Sequence, residues 1–223
     1  METSSKVLST NSSLSPGPLN KAEILQLLKD SKLVIRPLLD SKQISQVGID
    51  FRLGYDFLVS IQGREGFINA SRNDMDDEGD GQRNINQFFR ATRRQIGDTF
   101  ILHPYQTVLA VSLEYIKLPA DCMLKLYMRS SYSRLGITMS TLAQPGYCGC
   151  LSLELTNNNN NPINLTIGSR IIQDIFFRIS NPSPYFEVPR KYICQVRPEP
   201  SAVIGDEDLH TLNRIWKTEN KKS

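Results

Sequence analysis

Between Arg129 and Arg134 the chain places two guanidinium groups and three serine hydroxyls within six positions, directly after an apolar run. A guanidinium presents a planar fork of donors that matches the oxygens of a phosphate. Serine hydroxyls and adjacent backbone N–H groups can satisfy the oxygens that remain. Phosphate binding is the chemistry this spacing suits, and a surface loop whose arginines pair with carboxylates is the alternative on composition alone. Glu154 is the second candidate, an acid near the end of a strand-like stretch. Taken by itself it reads as a strand-end carboxylate paired with a lysine or arginine. The close pair Cys148 and Cys150 could attract zinc, but the remaining cysteines, Cys122 and Cys194, and the two histidines, His103 and His210, form no second paired motif. The four cysteines are read as reduced structural thiols.

The elements that hold these groups follow from the spacing of apolar residues. Residues 1–18, rich in Ser, Asn and Pro, read as a flexible tail. Asn20 with Glu23 reads as a capping box opening a short amphipathic helix that ends near Asp30, with Ile24, Leu27 and Leu28 on its inner face. Residues 33–38 read as a strand cut short by Pro37. Residues 48–54 alternate apolar and charged side chains, which predicts a half-buried strand with Asp50 and Arg52 paired on its outer face. From Gln62 to Asp98 the pattern fades into an acidic segment, 73–80, and a basic one, 83–94, read as loop with a helical turn near 86–92. Strands are then predicted at 100–104, 108–116, 122–127, 149–157, 163–167 and 171–179, with Asn157–Asn161 a polar low-complexity loop. Many short strands between turn signals predict an all-β barrel or sandwich with minor helices. In the last segment, 206–223, Leu209, Leu212, Ile215 and Trp216 fall at helical spacing, as in a docked helix or an oligomer contact.

Bulk properties narrow the function classes. A chain of 223 residues is long enough for one large domain or two small ones, and 39% hydrophobic residues supply an ordinary core. A net charge of +3 gives no argument for nucleic acid. No run of about 18 apolar residues exists to span a bilayer. The polar N-terminus lacks the apolar centre of a secretory signal, so a cytoplasmic location is expected.

In this order the motifs resemble those of the dCTP deaminases, which share their fold with the trimeric dUTPases. The resemblance runs over residues 19–204, between the tail 1–18 and the extension 205–223. It begins at Asp50-Phe51-Arg52-Leu53-Gly54 and continues through Phe100-Ile101-Leu102-His103-Pro104 and Leu118-Pro119-Ala120-Asp121. It is strongest at Arg129-Ser130-Ser131-Tyr132-Ser133-Arg134-Leu135-Gly136, then Pro145-Gly146-Tyr147-Cys148-Gly149 and Leu153-Glu154-Leu155-Thr156-Asn157. Gly168, Gln173 and Phe177, then Tyr185, Lys191-Tyr192, Gln195 and Pro198-Glu199-Pro200-Ser201 complete it. The resemblance implies a distorted β-barrel or jelly roll of the dUTPase-like, β-clip type, working as a homotrimer with sites between subunits. It implies zinc-independent deamination of dCTP to dUTP, with Glu154 as general base and Ser130 and Arg134 positioning water and stabilising charge. Arg129, Ser130 and Ser131 would hold the triphosphate. Ser152 and Leu153 would also contact substrate, while Tyr185, Lys191 and Gln195 would close over base and phosphates. Mg2+ would ride on the nucleotide, with no metal held by protein ligands. dUTP or dTTP are further possible ligands, and neither a membrane nor a nucleic acid is an expected partner.

The chain departs from that pattern between Gly136 and Pro145. The connection has only eight residues, Ile137 to Gln144, and Gln144 stands where the deaminases carry an aspartate. Ala143 can offer only backbone groups there. Thr138 stands where dUTPases carry the aspartate that activates water, and threonine is a poor base at neutral pH. A dUTPase-like pyrophosphatase is therefore disfavoured, and a nucleotide-binding sensor of the same fold is the third reading.

Overall fold

The structure, a computed structural model, describes residues 16–63, 67–68, 85–182, 185–187, 190–202 and 208–219. Its elements in chain order are β1 (Gly17–Pro18), α1 (Lys21–Lys29), β2 (Val34–Arg36), β3 (Asp50–Ser60), β4 (Phe89–Arg93), β5 (Thr99–Leu102) and β6 (Thr107–Lys117). They continue with β7 (Cys122–Met128), α2 (Ser130–Ser133), β8 (Ile137–Thr138), β9 (Ser140–Ala143), β10 (Cys148–Asn157), β11 (Ile163–Thr166), β12 (Arg170–Arg178) and α3 (Asp208–Glu219). Of the predicted flexible tail, 1–18, residues 1–15 lie outside the described residues, as does the acidic segment 73–80, whereas Gly17 and Pro18 are ordered as β1 by pairing with Arg178 and Phe177 of β12.

A ten-stranded sheet runs in the order β8-β10-β6-β3-β12-β7-β9, with β1 on β12, β2 on β6 and β4 on β3, while β5 and β11 form a separate pair. All pairings are antiparallel. The mostly-β fold expected from the strand pattern is what forms. The sheet curls until β9, at one end of its order, comes close to β10, near the other. Bulges help it bend: β10 shifts register against β6 between Cys150 and Ser152, and β12 against β3 between Arg170 and Ile172.

Alternation along the strands builds the core. Leu151, Leu153, Leu155 and Asn157 of β10 are buried, while Glu154 between them is exposed and Ser152 half-buried. Phe57 of β3 stacks on Phe100 of β5 with ring centroids 4.3 Å apart, joining the large sheet to the small one. Each such aromatic contributes about 1.5–3 kcal/mol by leaving water. At the edge, α1 is held by the predicted capping box, since Asn20 Oδ1 accepts from the Glu23 N–H at 3.1 Å and Glu23 Oε2 accepts from the Asn20 N–H at 2.9 Å.

The structure departs from the sequence reading in two further places. Of the stretch 86–92, read as a helical turn, Asn86 is helical and a turn follows it, but from Phe89 the chain is β4, because pairing with β3 supplies the partners that a mixed-charge sequence does not advertise. Asp50 and Arg52 do not pair with each other. Arg52 Nη1 reaches the buried Glu114 at 2.7 Å, whose second oxygen accepts from the Arg52 N–H at 2.9 Å. The C-terminal extension forms α3 as its spacing predicts, with Leu212, Ile215 and Trp216 exposed in the single chain and the side chain of Leu209 outside the described residues.

One fully buried acid stands out. Asp174 of β12 accepts from the Ile49 N–H through Oδ1, and Oδ2 has no hydrogen-bond partner among the described residues. Burial drives its pKa well above the ordinary carboxylate range, the Ile49 N–H pulls the other way, and Asp50 adds a smaller push upward. The folded protein therefore keeps a proton that the unfolded chain releases, so stability falls as pH rises from the unfolded value toward the folded one. Asp174→Asn should lack this loss. Thermal melts should show variant-minus-wild-type stability growing with pH above about 4, with a slope of up to about 1.4 kcal/mol per pH unit; a pH-independent difference refutes the assignment.

Candidate active site

The Arg129–Arg134 stretch folds as a tight turn of helix at the end of β7. Tyr132 N–H donates to the Arg129 carbonyl at 2.8 Å and Arg134 N–H to the Ser130 carbonyl at 3.0 Å. Gly136, at φ +92°, ends it, and a Cβ there would meet Asn159 at 3.1 Å. The close approach is part of a clamp made by the asparagine run. Asn159 Nδ2 donates to the Leu135 carbonyl at 3.0 Å and the Asn158 N–H to the Gly136 carbonyl at 2.9 Å. Buried Asn157 donates from Nδ2 to the carbonyls of Leu102 and Asn161, and its Oδ1 accepts from the Asn159 N–H. What reads as low-complexity loop is an ordered turn made of its own side chains.

Ser130, Ser131 and Arg134 are exposed on this turn. Arg129 is aimed by its neighbours: its Nε lies 3.4 Å from Asp50 Oδ2, and its Nη1 donates to the Arg170 carbonyl at 3.1 Å. Arg170 Nη1 is 3.9 Å from the same Asp50 oxygen. Burial pushes the Asp50 carboxyl up, while Arg129, Arg170 and Arg52 pull it down. The result is an exposed cluster of donors backed by one carboxylate, an arrangement suited to an anion.

Glu154 lies elsewhere, in a cavity of about 640 Å³ between β9, β10 and the segment 185–201. That volume suits a small organic ligand. Ser152 and Glu154 reach it from the outward face of β10, and Ser152 Oγ donates to Glu154 Oε1 at 3.2 Å. Tyr185, Lys191 and Gln195 line it from the C-terminal side, and Leu142, Ala143 and Gln144 from the short connection. Tyr185 is buried edge-on against Tyr147 at 5.8 Å, and its hydroxyl donates to the Tyr192 carbonyl at 3.2 Å.

Five of the predicted site residues thus meet around one cavity: Ser152, Glu154, Tyr185, Lys191 and Gln195. Leu153 does not, because strand alternation turns its side chain into the core, leaving only its backbone near the site. Arg129, Ser130, Ser131 and Arg134 do not line the cavity of their own chain. Sequence reading missed Arg190, which lies 4.6 Å over the Tyr185 ring while its Nε donates to the Tyr185 carbonyl at 3.1 Å. Its place beside Lys191 was the available signal. It also missed Phe89, hidden in the stretch taken for a helical turn.

Residues 18–179 match the family model described as dCTP deaminase-like. The chain is 35% identical over 198 residues to a Methanobrevibacter smithii protein named dCTP deaminase, dUMP-forming, covering 86% of this chain and 97% of that one. It is 34% identical to a Halorubrum lacusprofundi protein named dCTP deaminase, covering 86% and 94%. Among solved structures, the 2'-deoxycytidine 5'-triphosphate deaminase from Agrobacterium tumefaciens is similar in fold, with a TM-score of 0.54 at 24% identity. That match covers 73% of this chain and 47% of the other.

The carboxylate behind Arg129 gives the test of the donor cluster. Asp50→Asn should lower affinity for inorganic tripolyphosphate about fivefold in calorimetry, because Arg129 loses the group that orients it. An unchanged affinity with an intact fold removes Asp50 from that role.

Proposed function

The chain belongs to the dCTP deaminase-like family, and from that premise we propose that it is an enzyme that hydrolyses the cytosine amino group of dCTP, giving dUTP and ammonia. The observation that carries this reading is the placing of Glu154 beside Ser152 in a ligand-sized cavity closed by Tyr185, Lys191 and Gln195. Glu154 takes a proton from the water that adds to the ring carbon and returns it to the departing nitrogen. No zinc is needed for that water, in contrast with the deaminases that activate it on a metal. Ser130 and Arg134 position the water and stabilise the charge that develops on the ring.

The triphosphate is held by Arg129, Ser130 and Ser131. These are hydrogen-bond donors rather than metal ligands, so Mg2+ is proposed to travel on the nucleotide and to neutralise its phosphate oxygens there. Because Arg129–Arg134 lie outside the cavity of their own chain, the complete site forms between copies in a homotrimer. One copy offers Glu154 and the cavity, and its neighbour offers the Arg/Ser turn. The exposure of Ser130, Ser131, Arg134 and Glu154 in the single chain supports this division. The altered connection, with Gln144 and Ala143 at the cavity wall, then forms part of the pocket for base and sugar.

A second reading ends at dUMP, since two 35%-identical relatives carry that product in their names. Thr138 opposes it, having no capacity to act as the base for attack on phosphorus. Incubation with dCTP and magnesium, with products resolved by chromatography, separates the two. Glu154→Gln should lower turnover by about 10²–10⁴ while nucleotide binding persists. Full activity in that variant overturns the assignment of the base, and dUMP as the accumulating product overturns dUTP.

A further inference from the structure

Two of the four cysteines meet where the C-terminal segment 190–202 crosses β10. The sulfurs of Cys148 and Cys194 lie 3.0 Å apart, although 46 positions separate them. Cys148 is buried at the head of β10, whereas Cys194 is exposed to solvent. The backbone around them is locked in register. The Cys150 N–H donates to the Gln195 carbonyl at 2.7 Å, and a Cβ on Gly149 would come within 2.6 Å of that same oxygen. About 1 Å of movement would bring the two sulfurs to the bond length of about 2.05 Å.

The other thiols are placed for inertness. Burial and Asp121 push Cys122 up to about 12, with Arg178 opposing. Burial, with Glu114 and Asp56, pushes Cys150 up to about 11. Neither offers an appreciable thiolate at neutral pH.

We propose that Cys148 and Cys194 are a paired oxidation site whose reversible disulfide fastens segment 190–202 across β10 and slows exchange of the ligand beneath it. The oxidant is a low-molecular-weight disulfide. Cys194 loses its proton to solvent and its sulfur attacks one sulfur of the reagent, breaking the reagent's S–S bond and releasing one small thiolate. Cys148 then loses its proton and attacks the Cys194 sulfur of the mixed disulfide, releasing the second small thiolate. The protein gives up two electrons and two protons, and the reagent leaves as two thiols. The Cys148 contact and burial hold the Cys194 thiol above its ordinary value, so the first step needs an excess of disulfide over thiol. The bond would fix the backbone that carries Lys191 and Gln195 at the cavity. This consequence for turnover rests on the nucleotide reading of the cavity, whereas the cross-link and the fastening of the segment do not.

The test uses the full chain incubated with excess glutathione disulfide, then alkylated, unfolded and mapped by mass spectrometry. The expected result is loss of two of the four thiols and a linked peptide pair containing Cys148 and Cys194. Trypsin cleavage after Arg190 and Lys191 should slow about tenfold, return with dithiothreitol, and stay fast in Cys194→Ser. Turnover of dCTP should fall about tenfold on oxidation in the wild type and be unaffected in that variant. Four surviving thiols, a cross-link between chains, or linkage through Cys122 or Cys150 overturns the proposal. A complete Cys148–Cys194 link with unchanged tryptic cleavage overturns the fastening. Absence of dCTP turnover in the reduced protein would refute the deaminase reading instead, with the peptide map and the tryptic rates still deciding the disulfide.

Discussion

The pleat of β10 is the constraint on which the rest of the molecule depends. A strand turns alternate side chains to opposite faces, so the same ten residues bury Leu151, Leu153, Leu155 and Asn157 and present Ser152 and Glu154 outward. A one-residue slip would exchange core for site. The register is held on one side by β6, where Glu154 stands opposite Leu109, and on the other by β8. Core packing therefore fixes where the candidate base points, and the cost of misplacing it is the loss of four buried side chains.

The remaining functional groups are arranged around that strand in two separate sets. The cavity set is joined by the curl of the sheet, which brings β9 toward β10, and by the segment that crosses above. The Arg/Ser donor set, the proposed triphosphate grip, sits on the turn after β7, where Asp50 from β3 pairs with Arg129. A carboxylate that pairs with Arg129 and Arg170 holds two cations close together, which their mutual repulsion would otherwise oppose. Separation of the two sets within one chain makes association between chains a requirement of the proposed chemistry.

Much of this was legible in the residues. The capping box at Asn20 and Glu23, the strands, and Glu154 on the outward face follow from local rules that need only spacing. Family likeness, rather than spacing, drew Tyr185, Lys191 and Gln195 to the same site. Other features depend on distant partners and leave little local trace. β4 looks like solvated loop until β3 pairs with it. Arg52 passes over its sequence neighbour Asp50 because Glu114, 62 positions away, is buried and accepts from both its backbone and its side chain. The resemblance also placed Leu153 with the site, whereas alternation turns its side chain into the core.

The asparagine turn bears on how such a molecule ages. Asparagine is among the residues lost to slow hydrolysis in warm proteins, and conversion to aspartate exchanges an NH2 for a second acceptor oxygen. At Asn157 that NH2 faces two carbonyl oxygens, those of Leu102 and Asn161, so the damaged side chain would set a carboxylate against both. The turn that clasps Leu135 and Gly136 would loosen, and the guanidinium and hydroxyl groups just before them would lose their footing. Chemical wear at a single buried amide would thus disturb the proposed anion-binding turn well before the sheet itself came apart.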